Sequence, residues 1–104
     1  MSALFDVRLT SAARRDLEEI FDFVSKEASR ATAVKLIARI DASISKLRVH
    51  AMRFRERKEL GAGRRANLVS PYIVFYRVVG DVVFVQRVLH GARNITAEQF
   101  GTRR

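Results

Sequence analysis

Two apolar segments near the end of the chain constrain the fold more than any other feature. They read YIVFYRVV, residues 72–79, and VVFVQRVL, residues 82–89, and only Gly80 and Asp81 separate them. Segments of this length, rich in valine and aromatic residues, are typical of β-strands. A two-residue connection with glycine first suits a type II′ turn. The sequence therefore predicts a long antiparallel hairpin.

The turn also predicts the register of this hairpin and hence its two faces. The predicted pairs are Val79 with Val82, Arg77 with Phe84, and Val74 with Arg87. One predicted face carries Ile73, Phe75, Val79, Phe84 and Val88. The other predicted face carries Tyr72, Val74, Tyr76, Val78, Val83, Val85 and Leu89. Because both faces are apolar, both are expected to be covered at least in part. Sequence alone leaves open which face meets the rest of the protein.

The first half of the chain predicts a short strand followed by two helices. Leu4 to Leu9 alternates weakly, as a strand does, and Thr10 or Ser11 is the expected N-cap of a helix that ends near Ala28. Its apolar residues recur at helical spacing: Ala13, Leu17, Ile20, Phe21, Val24 and Ala28. Its acidic residues are expected on a solvated face in opposite-charge pairs four apart: Arg14/Glu18, Arg15/Glu19 and Asp22/Lys26.

Ser29 is the expected N-cap of the second helix. This helix carries an unbroken apolar seam: Ala33, Ile37, Ile40, Ile44 and Leu47. His50 ends the helix, where a cation favours the helix dipole. The connection between the helices is short, so they should form an antiparallel hairpin.

Residues 48–71 no longer show the helical spacing of apolar residues that precedes them. Met52 to Lys58 alternates with arginines and predicts an exposed edge strand with one cationic face, while Gly61 and Gly63 mark a turn. Ala66 to Val69 begins the next strand, and Ser70-Pro71 interrupts it because proline lacks an amide donor.

The predicted order is β-α-α-β-β-β-β, an α+β fold in which an antiparallel helical hairpin packs on a small, mostly antiparallel sheet. The length of 104 residues fits one domain. The tail from about residue 96 is expected to be flexible or helical.

The charge of the chain is concentrated in its second half. Residues 1–47 hold eight Lys/Arg and seven Asp/Glu, a net of +1, whereas residues 48–104 hold twelve and four, a net of +8. Beyond serving solubility, such a field attracts nucleic acid or an acidic protein partner. The chain has no cysteine, no signal-like N-terminus and no apolar run near the ~20 residues of a membrane helix, so we expect a cytoplasmic protein that does not enter the membrane.

An ordered set of segments resembles the ParE/RelE superfamily of toxins from bacterial type II toxin–antitoxin systems, and the ParE branch more closely. The segments read VRLTSAARRDLEEIFDFV, ISKL, RKELGAGRRANLV, YIVFYRV and VLHGARNI. The resemblance implies a toxin neutralised by a cognate ParD-like antitoxin whose acidic, amphipathic C-terminal segment wraps around it. It also implies DNA gyrase as the target, bound without chemistry of the toxin's own.

The RelE branch implies a different activity, ribosome-dependent cleavage of mRNA. Cleavage through the 2′-hydroxyl needs an acid, a base and cations. Arg87, His90 and Arg93 lie in the corresponding region. A strand position that is basic in some RelE nucleases reads Ile73, and no tyrosine follows Arg93, because the tail offers only Phe100. We therefore expect no catalytic residues, with this nuclease as the alternative.

The candidate residues for binding a target or partner are all cationic. They are Arg53, Arg55, Arg57, Lys58, Arg64, Arg65, Arg87, His90 and Arg93. The sequence does not decide which polyanion they meet, and a capping role for His90 at the strand end competes with chemistry. Two distant histidines without cysteines predict no metal site, and no phosphate-loop motif occurs, so no cofactor is expected. A non-toxic interaction module remains the third hypothesis.

Overall fold

The computed structural model describes residues 4–100. Its helices and strands are β1 (Asp6–Leu9), α1 (Ser11–Glu27), α2 (Arg30–His50), β2 (Arg64–Val69), β3 (Tyr72–Val79) and β4 (Val82–His90). Single 3₁₀ turns lie at Lys58–Leu60 and Ala97–Phe100. The four strands form one sheet in the order β1-β4-β3-β2, with β1 parallel to β4 and the other neighbours antiparallel. The predicted α+β fold, two helices packed on a small sheet, is confirmed, and residues 101–104 of the predicted tail lie outside the described residues.

Side-chain caps set where the two helices begin. The Thr10 hydroxyl accepts a hydrogen bond from the Ala13 amide at 3.1 Å, so Thr10 rather than Ser11 is the first cap. The Ser29 hydroxyl accepts from the Thr32 amide at 3.0 Å, as predicted. These bonds satisfy amides that a helix N-terminus leaves unpaired. Because few residues separate the two helices, α2 folds back along α1 as a hairpin.

The predicted seam of α2 is correct except at one position. The buried residues of this helix are Ala33, Leu36, Ile40, Ile44 and Leu47. Ile37 is only half-buried at the margin of the core, and Leu36 faces the core more directly. Within residues 4–100, neither helix is long and apolar enough to cross a membrane.

The predicted edge strand at residues 52–58 is wrong. This segment begins as a turn, touches β2 through one isolated bridge between Glu56 and Arg65, and then enters the 3₁₀ turn. The physical reason is that the alternation offers little apolar surface to bury: Phe54 packs against the core, whereas Met52 is exposed. The turn at Gly61 and Gly63 is confirmed, since both adopt positive φ.

The hairpin of β3 and β4 keeps its predicted register only as far as a bulge. Val79 pairs with Val82 and Arg77 with Phe84 as predicted. The register then shifts between Phe75 and Tyr76, so Gln86 has no partner on β3 and Val74 pairs with Val88 instead of Arg87. An extra residue moves everything beyond it to the opposite face. Val88 and Leu89 are therefore exchanged relative to the predicted faces.

The two faces of the sheet carry separate cores. The face covered by the helices, the helix face, packs Val74, Tyr76, Val83, Val85 and Val88 against α1 and α2. The opposite face, the distal face, has a smaller cluster of Leu60, Phe75 and Leu89 with Ala66, Ile73, Ile95 and Phe100 at its margin. Both faces are covered as expected, and among residues 4–100 the cover of the distal face consists of the turns that follow α2 and β4.

Candidate functional site

The predicted cationic residues do not form one surface. The structure divides them into two arginines that build the fold, a pair beside a groove on the helix side, and a group around a cavity on the distal face.

Arg87 is fixed by a buried carboxylate on α1. Its Nε donates to Asp16 Oδ2 at 2.7 Å and its Nη2 donates to Asp16 Oδ1 at 2.9 Å, while Nη1 donates to the Gln99 carbonyl. The hydrogen bonds from Arg87 to Asp16 raise the pKa of the guanidinium. Asp16 Oδ2 also accepts from the Val88 amide at 2.9 Å, beyond the point where β1 stops pairing with β4. The Asp16 carboxylate therefore satisfies a backbone amide of β4 at the part of its edge that β1 leaves uncovered.

This contact corrects the expectation for the acidic residues of α1. Asp16 is only 7% exposed and belongs to the core, not to a solvated face. The predicted opposite-charge pairs of α1 form no ion pair within 4.0 Å. The three ion pairs found in residues 4–100 are Arg8–Asp6, Arg57–Glu59 and Arg87–Asp16.

Arg64 is the second structural arginine and is 3% exposed. Its Nε donates to Gln86 Oε1 at 2.7 Å, Nη1 donates to the Leu60 carbonyl, and the guanidinium lies 4.0 Å from the centroid of the Phe100 ring. Burial lowers the pKa of this guanidinium, with a further contribution from Arg77. Gly61 leaves room for it, since a Cβ there would touch Nη1. Arg64 thus holds the bulge and is not available to a partner.

A groove lies where the helical hairpin meets the sheet, and we call it the Phe23 groove. It consists of two adjoining cavities of about 340 and 440 Å³ that share Phe23, Tyr72 and His90. Phe23 is 59% exposed, unusual for an aromatic ring at the centre of a concavity. Lys35 and Arg39 line one end and Arg93 the other. The groove is apolar at its centre and cationic at the end of Lys35 and Arg39, whereas Glu19 and the paired Asp16 line the end of Arg93.

His90 and Arg93 share this groove, but Arg87 does not line it. The His90 Nδ1 accepts a hydrogen bond from the Ala92 amide at 3.0 Å, and its ring stands edge-on to Tyr72 at 5.1 Å. His90 therefore orders the end of β4. Phe100, the aromatic residue of the tail, lies on the distal face and stacks edge-on against Phe75 at 5.1 Å.

The remaining cations surround a second concavity, the Arg55 cavity, of about 570 Å³. Its lining residues are Arg55, Glu56, Arg57, Glu59, Ala66, Leu68 and Ile73. Arg57 is paired with Glu59 at 2.6 Å, which lowers the pKa of that carboxyl. Arg53 and Lys58 are exposed nearby, and Arg65 donates to the Phe54 carbonyl at 2.6 Å.

Sequence reasoning missed three residues of these surfaces: Asp16, Phe23 and Leu68. Phe23 had a signal, because this aromatic residue falls outside the apolar stripe of α1. Leu68 is 67% exposed and looked like an ordinary strand residue. Asp16 had a signal in its position, since it lies three residues after Ala13 and four before Ile20 on the apolar stripe of α1, but its charge favoured a solvated face. In the part of the chain that the structure describes, no three His, Asp or Glu side chains are grouped to hold a metal ion.

The fold is similar to that of chains solved in two bacterial toxin–antitoxin systems. A chain of the chromosomal ParDE system from P. aeruginosa superposes with a TM-score of 0.75 at 22% identity, covering 84% of this chain and 96% of that one. A chain of the RelBE2 toxin–antitoxin complex from Mycobacterium tuberculosis gives 0.66 at 22% identity, covering 85% and 99%.

Sequence comparison identifies the family of this chain. Residues 7–95 match the family described as the ParE toxin of the type II toxin–antitoxin system, parDE. The toxin ParE3 of Caulobacter vibrioides is 30% identical over 83 residues, which cover 80% of this chain and 83% of that protein. This chain belongs to the ParE toxin family, as the resemblance in its sequence predicted.

Proposed function

We propose that this ParE-family toxin acts by binding DNA gyrase, that it makes and breaks no bonds itself, and that an antitoxin segment restrains it. The gyrase target follows from what the ParE resemblance implies. The absence of chemistry follows from the contacts of the residues that a nuclease would use.

The observation that carries the non-enzymatic part of this proposal is the position of Arg87, which contacts within the fold hold in place. Each of its three nitrogens donates to a protein oxygen, two of them to the Asp16 carboxylate. A cation that stabilises a phosphorane must offer its donors to the reacting phosphate. Three of the five N–H donors of Arg87 are already engaged with protein oxygens, and turning Nε and Nη2 toward a phosphate would break the ion pair with the buried Asp16, which is costly. Ile73 and Phe100 provide neither a cation nor a hydroxyl.

The Phe23 groove supports the proposal of an antitoxin partner. An amphipathic segment could bury an apolar side chain against Phe23 and Tyr72 and place carboxylates near the cationic end of the groove. The solved ParDE and RelBE2 systems to which the fold is similar are toxin–antitoxin assemblies. A disordered partner pays an ordering cost but covers a large surface.

A gyrase assay tests the target. Purified toxin should inhibit supercoiling by purified bacterial gyrase and should leave complexes in which the DNA is cleaved. Folded toxin, free of antitoxin, that leaves supercoiling unchanged would contradict the proposal.

His90 and Arg93 line the same groove, so the nuclease alternative requires a separate experiment. Translated transcripts should stay intact when the toxin is induced. Cuts that disappear in His90→Ala and Arg93→Ala would establish the RelE-like activity instead, and harmless overexpression without antitoxin would favour the non-toxic module.

The antitoxin proposal makes a kinetic prediction. Raising the salt concentration should slow association of the toxin with its antitoxin more than it speeds dissociation, because exposed charges act mainly on the encounter rate. A salt-insensitive association rate in stopped-flow measurements would contradict docking at the cationic end of the Phe23 groove.

A further inference from the structure

The Arg55 cavity has an apolar floor on the distal face, separate from the Phe23 groove. Ala66, Leu68 and Ile73 form this floor, and Leu68 is 67% exposed. A single exposed leucine is ordinary on a protein surface. An exposed leucine inside a concavity, beside two further apolar residues, offers a place where a partner's apolar side chain can be buried.

The wall of the cavity contains a guanidinium, that of Arg55, which forms no ion pair within 4.0 Å among the described residues. Arg57 is bound to Glu59, and Arg64, Arg65 and Arg87 donate to protein oxygens. No ion pair formed by residues 4–100 includes Arg55, which is exposed at the rim. Residues 53–65 carry six Lys/Arg and two Glu, so the surroundings are cationic. Arg55 is therefore placed to meet an incoming carboxylate.

Two carboxylates in the same wall favour polypeptide over nucleic acid. Glu56 is held in place because its Oε2 accepts from the Gly63 amide at 2.8 Å. Glu59 stays ionised beside Arg57, whose hydrogen bond lowers the pKa of the carboxyl. These two carboxylates interrupt the cationic wall, so it offers no continuous track for a phosphate chain, and such a chain has no apolar side chain to place on Leu68.

The edge of β2 points to an extended polypeptide. The Arg57 amide donates to the Arg64 carbonyl, and the Ala66 amide donates to the Arg55 carbonyl. Because neighbouring residues of a strand direct their backbone groups to opposite sides, Leu68 is the next residue to face this edge. Among the described residues, the backbone hydrogen bonds along the edge end at Ala66. The backbone of Leu68 is thus open to an added strand.

We propose that the Arg55 cavity is the surface that binds the toxin's target, and that it takes an extended segment of gyrase with an apolar side chain next to a carboxylate. The apolar side chain lies on Leu68 and Ile73, the carboxylate pairs with Arg55, and the backbone continues the sheet at β2. This inference rests on the proposed function and adds a location: target and antitoxin bind different faces of the sheet.

Two variants test this surface, each with a matched control. Leu68→Asp and Arg55→Glu change exposed residues of the cavity, while Val79→Asp and Arg14→Glu make the same kinds of change at exposed positions elsewhere. Supercoiling inhibition is measured with purified bacterial gyrase, and circular dichroism checks the fold. We expect the toxin concentration for half inhibition to rise about tenfold or more in both cavity variants, as for a residue at the centre of an interface, and to stay unchanged in the controls.

The outcomes separate this inference from the proposed function. Wild-type toxin that does not inhibit gyrase overturns the target and the inference together. Wild-type inhibition that Leu68→Asp and Arg55→Glu both retain, while folded, overturns only the inference. Fluorescence anisotropy with a labelled DNA duplex covers the other class of partner: a loss of inhibition that tracks a matching loss of DNA affinity also overturns the inference, because it assigns the cavity to nucleic acid.

Discussion

The two faces of the sheet are built in different ways, although both lie on the same hairpin. The helix face is covered by two long helices and buries apolar side chains almost alone. The distal face is covered by short turns, and buried Arg64 and half-buried Arg87 hold those turns in place. The difference indicates that stability resides mainly on the helix face, while the distal face uses polar contacts and keeps an open cavity.

The largest expected effect compares one leucine from each core. Leu47 on α2 and Leu89 on β4 are 0% and 1% exposed. We expect Leu47→Ala to cost about 4 kcal/mol and Leu89→Ala about 2 kcal/mol, because the turns over the distal face can collapse onto a cavity more readily than two packed helices can. Urea unfolding of both variants measures this. Equal losses would mean that the distal cover is as rigid as the helices.

The second largest effect is expected when the ion pair that links α1 to the cover of the distal face is broken. Arg87 joins Asp16 on α1 to Gln99 on the C-terminal turn, so Asp16→Ala leaves a guanidinium and the Val88 amide unpaired. We expect a loss of about 3 kcal/mol in the free energy of unfolding, as for a broken buried ion pair. Glu18→Ala, on the same helix and exposed, should stay within about 0.5 kcal/mol. A comparable loss in both variants would contradict the special role of Asp16.

A smaller effect is expected at the cover of the distal face. Phe100→Ala removes a ring that contacts Phe75 and lies over Arg64, but the residue is only half-buried. We expect a loss of about 1.5 kcal/mol, less than for a fully buried phenylalanine. The control is Phe23→Ala, since Phe23 is 59% exposed and should leave the unfolding midpoint nearly unchanged. If Phe23→Ala lowered the free energy of unfolding more than Phe100→Ala does, the assignment of Phe23 to a partner groove would be weakened.

The smallest effect concerns one hydroxyl on the helix face. The Tyr76 hydroxyl donates to the Ala51 carbonyl at 2.6 Å, and burial raises the pKa of Tyr76 to about 12. Because the unfolded pKa is about 10, the contribution of Tyr76 to stability is complete below pH 10 and is lost as the pH rises toward 12. Tyr76→Phe should cost about 1 kcal/mol at neutral pH.

The pH dependence separates this effect from simple packing. Tyr76→Phe has no phenol to ionise, so the advantage of the wild type in the free energy of unfolding should shrink above pH 10 and change sign before about pH 12. Urea unfolding across this range measures the difference. A constant difference would mean that Tyr76 ionises alike in the folded and unfolded states.

Sequence periodicity predicted the helices, the hairpin and the order of elements, because burial on one face of a helix or strand repeats at a fixed interval. It failed where a single residue breaks the interval. The bulge at Gln86 is held by contacts with distant residues, since its carbonyl accepts from Thr10 and its side chain from Arg64. No local pattern reports such contacts, so the faces of Val88 and Leu89 were exchanged.

The candidate site was predicted less well than the fold, for a related reason. The sequence marks Arg55, Arg64 and Arg87 as equivalent cations, but their roles depend on which acceptors lie within reach. Asp16 and the Leu60 carbonyl occupy two of these arginines and leave Arg55 exposed at a cavity. Asp16 itself was placed on a solvated face because its neighbours on the helix include exposed charges of both signs.

The parallel pairing of β1 with β4 has a consequence for how the protein is made. Val7 pairs with Val83, so the first strand to leave the ribosome waits for the last strand before its ladder can close. Contacts this distant in sequence form late and slowly. Val88 and His90 of β4 also line the Phe23 groove. A nascent chain that lacks β4 therefore has neither a closed sheet nor a complete groove, and the toxin acquires its tertiary structure and the surface for its proposed inhibitor in the same step.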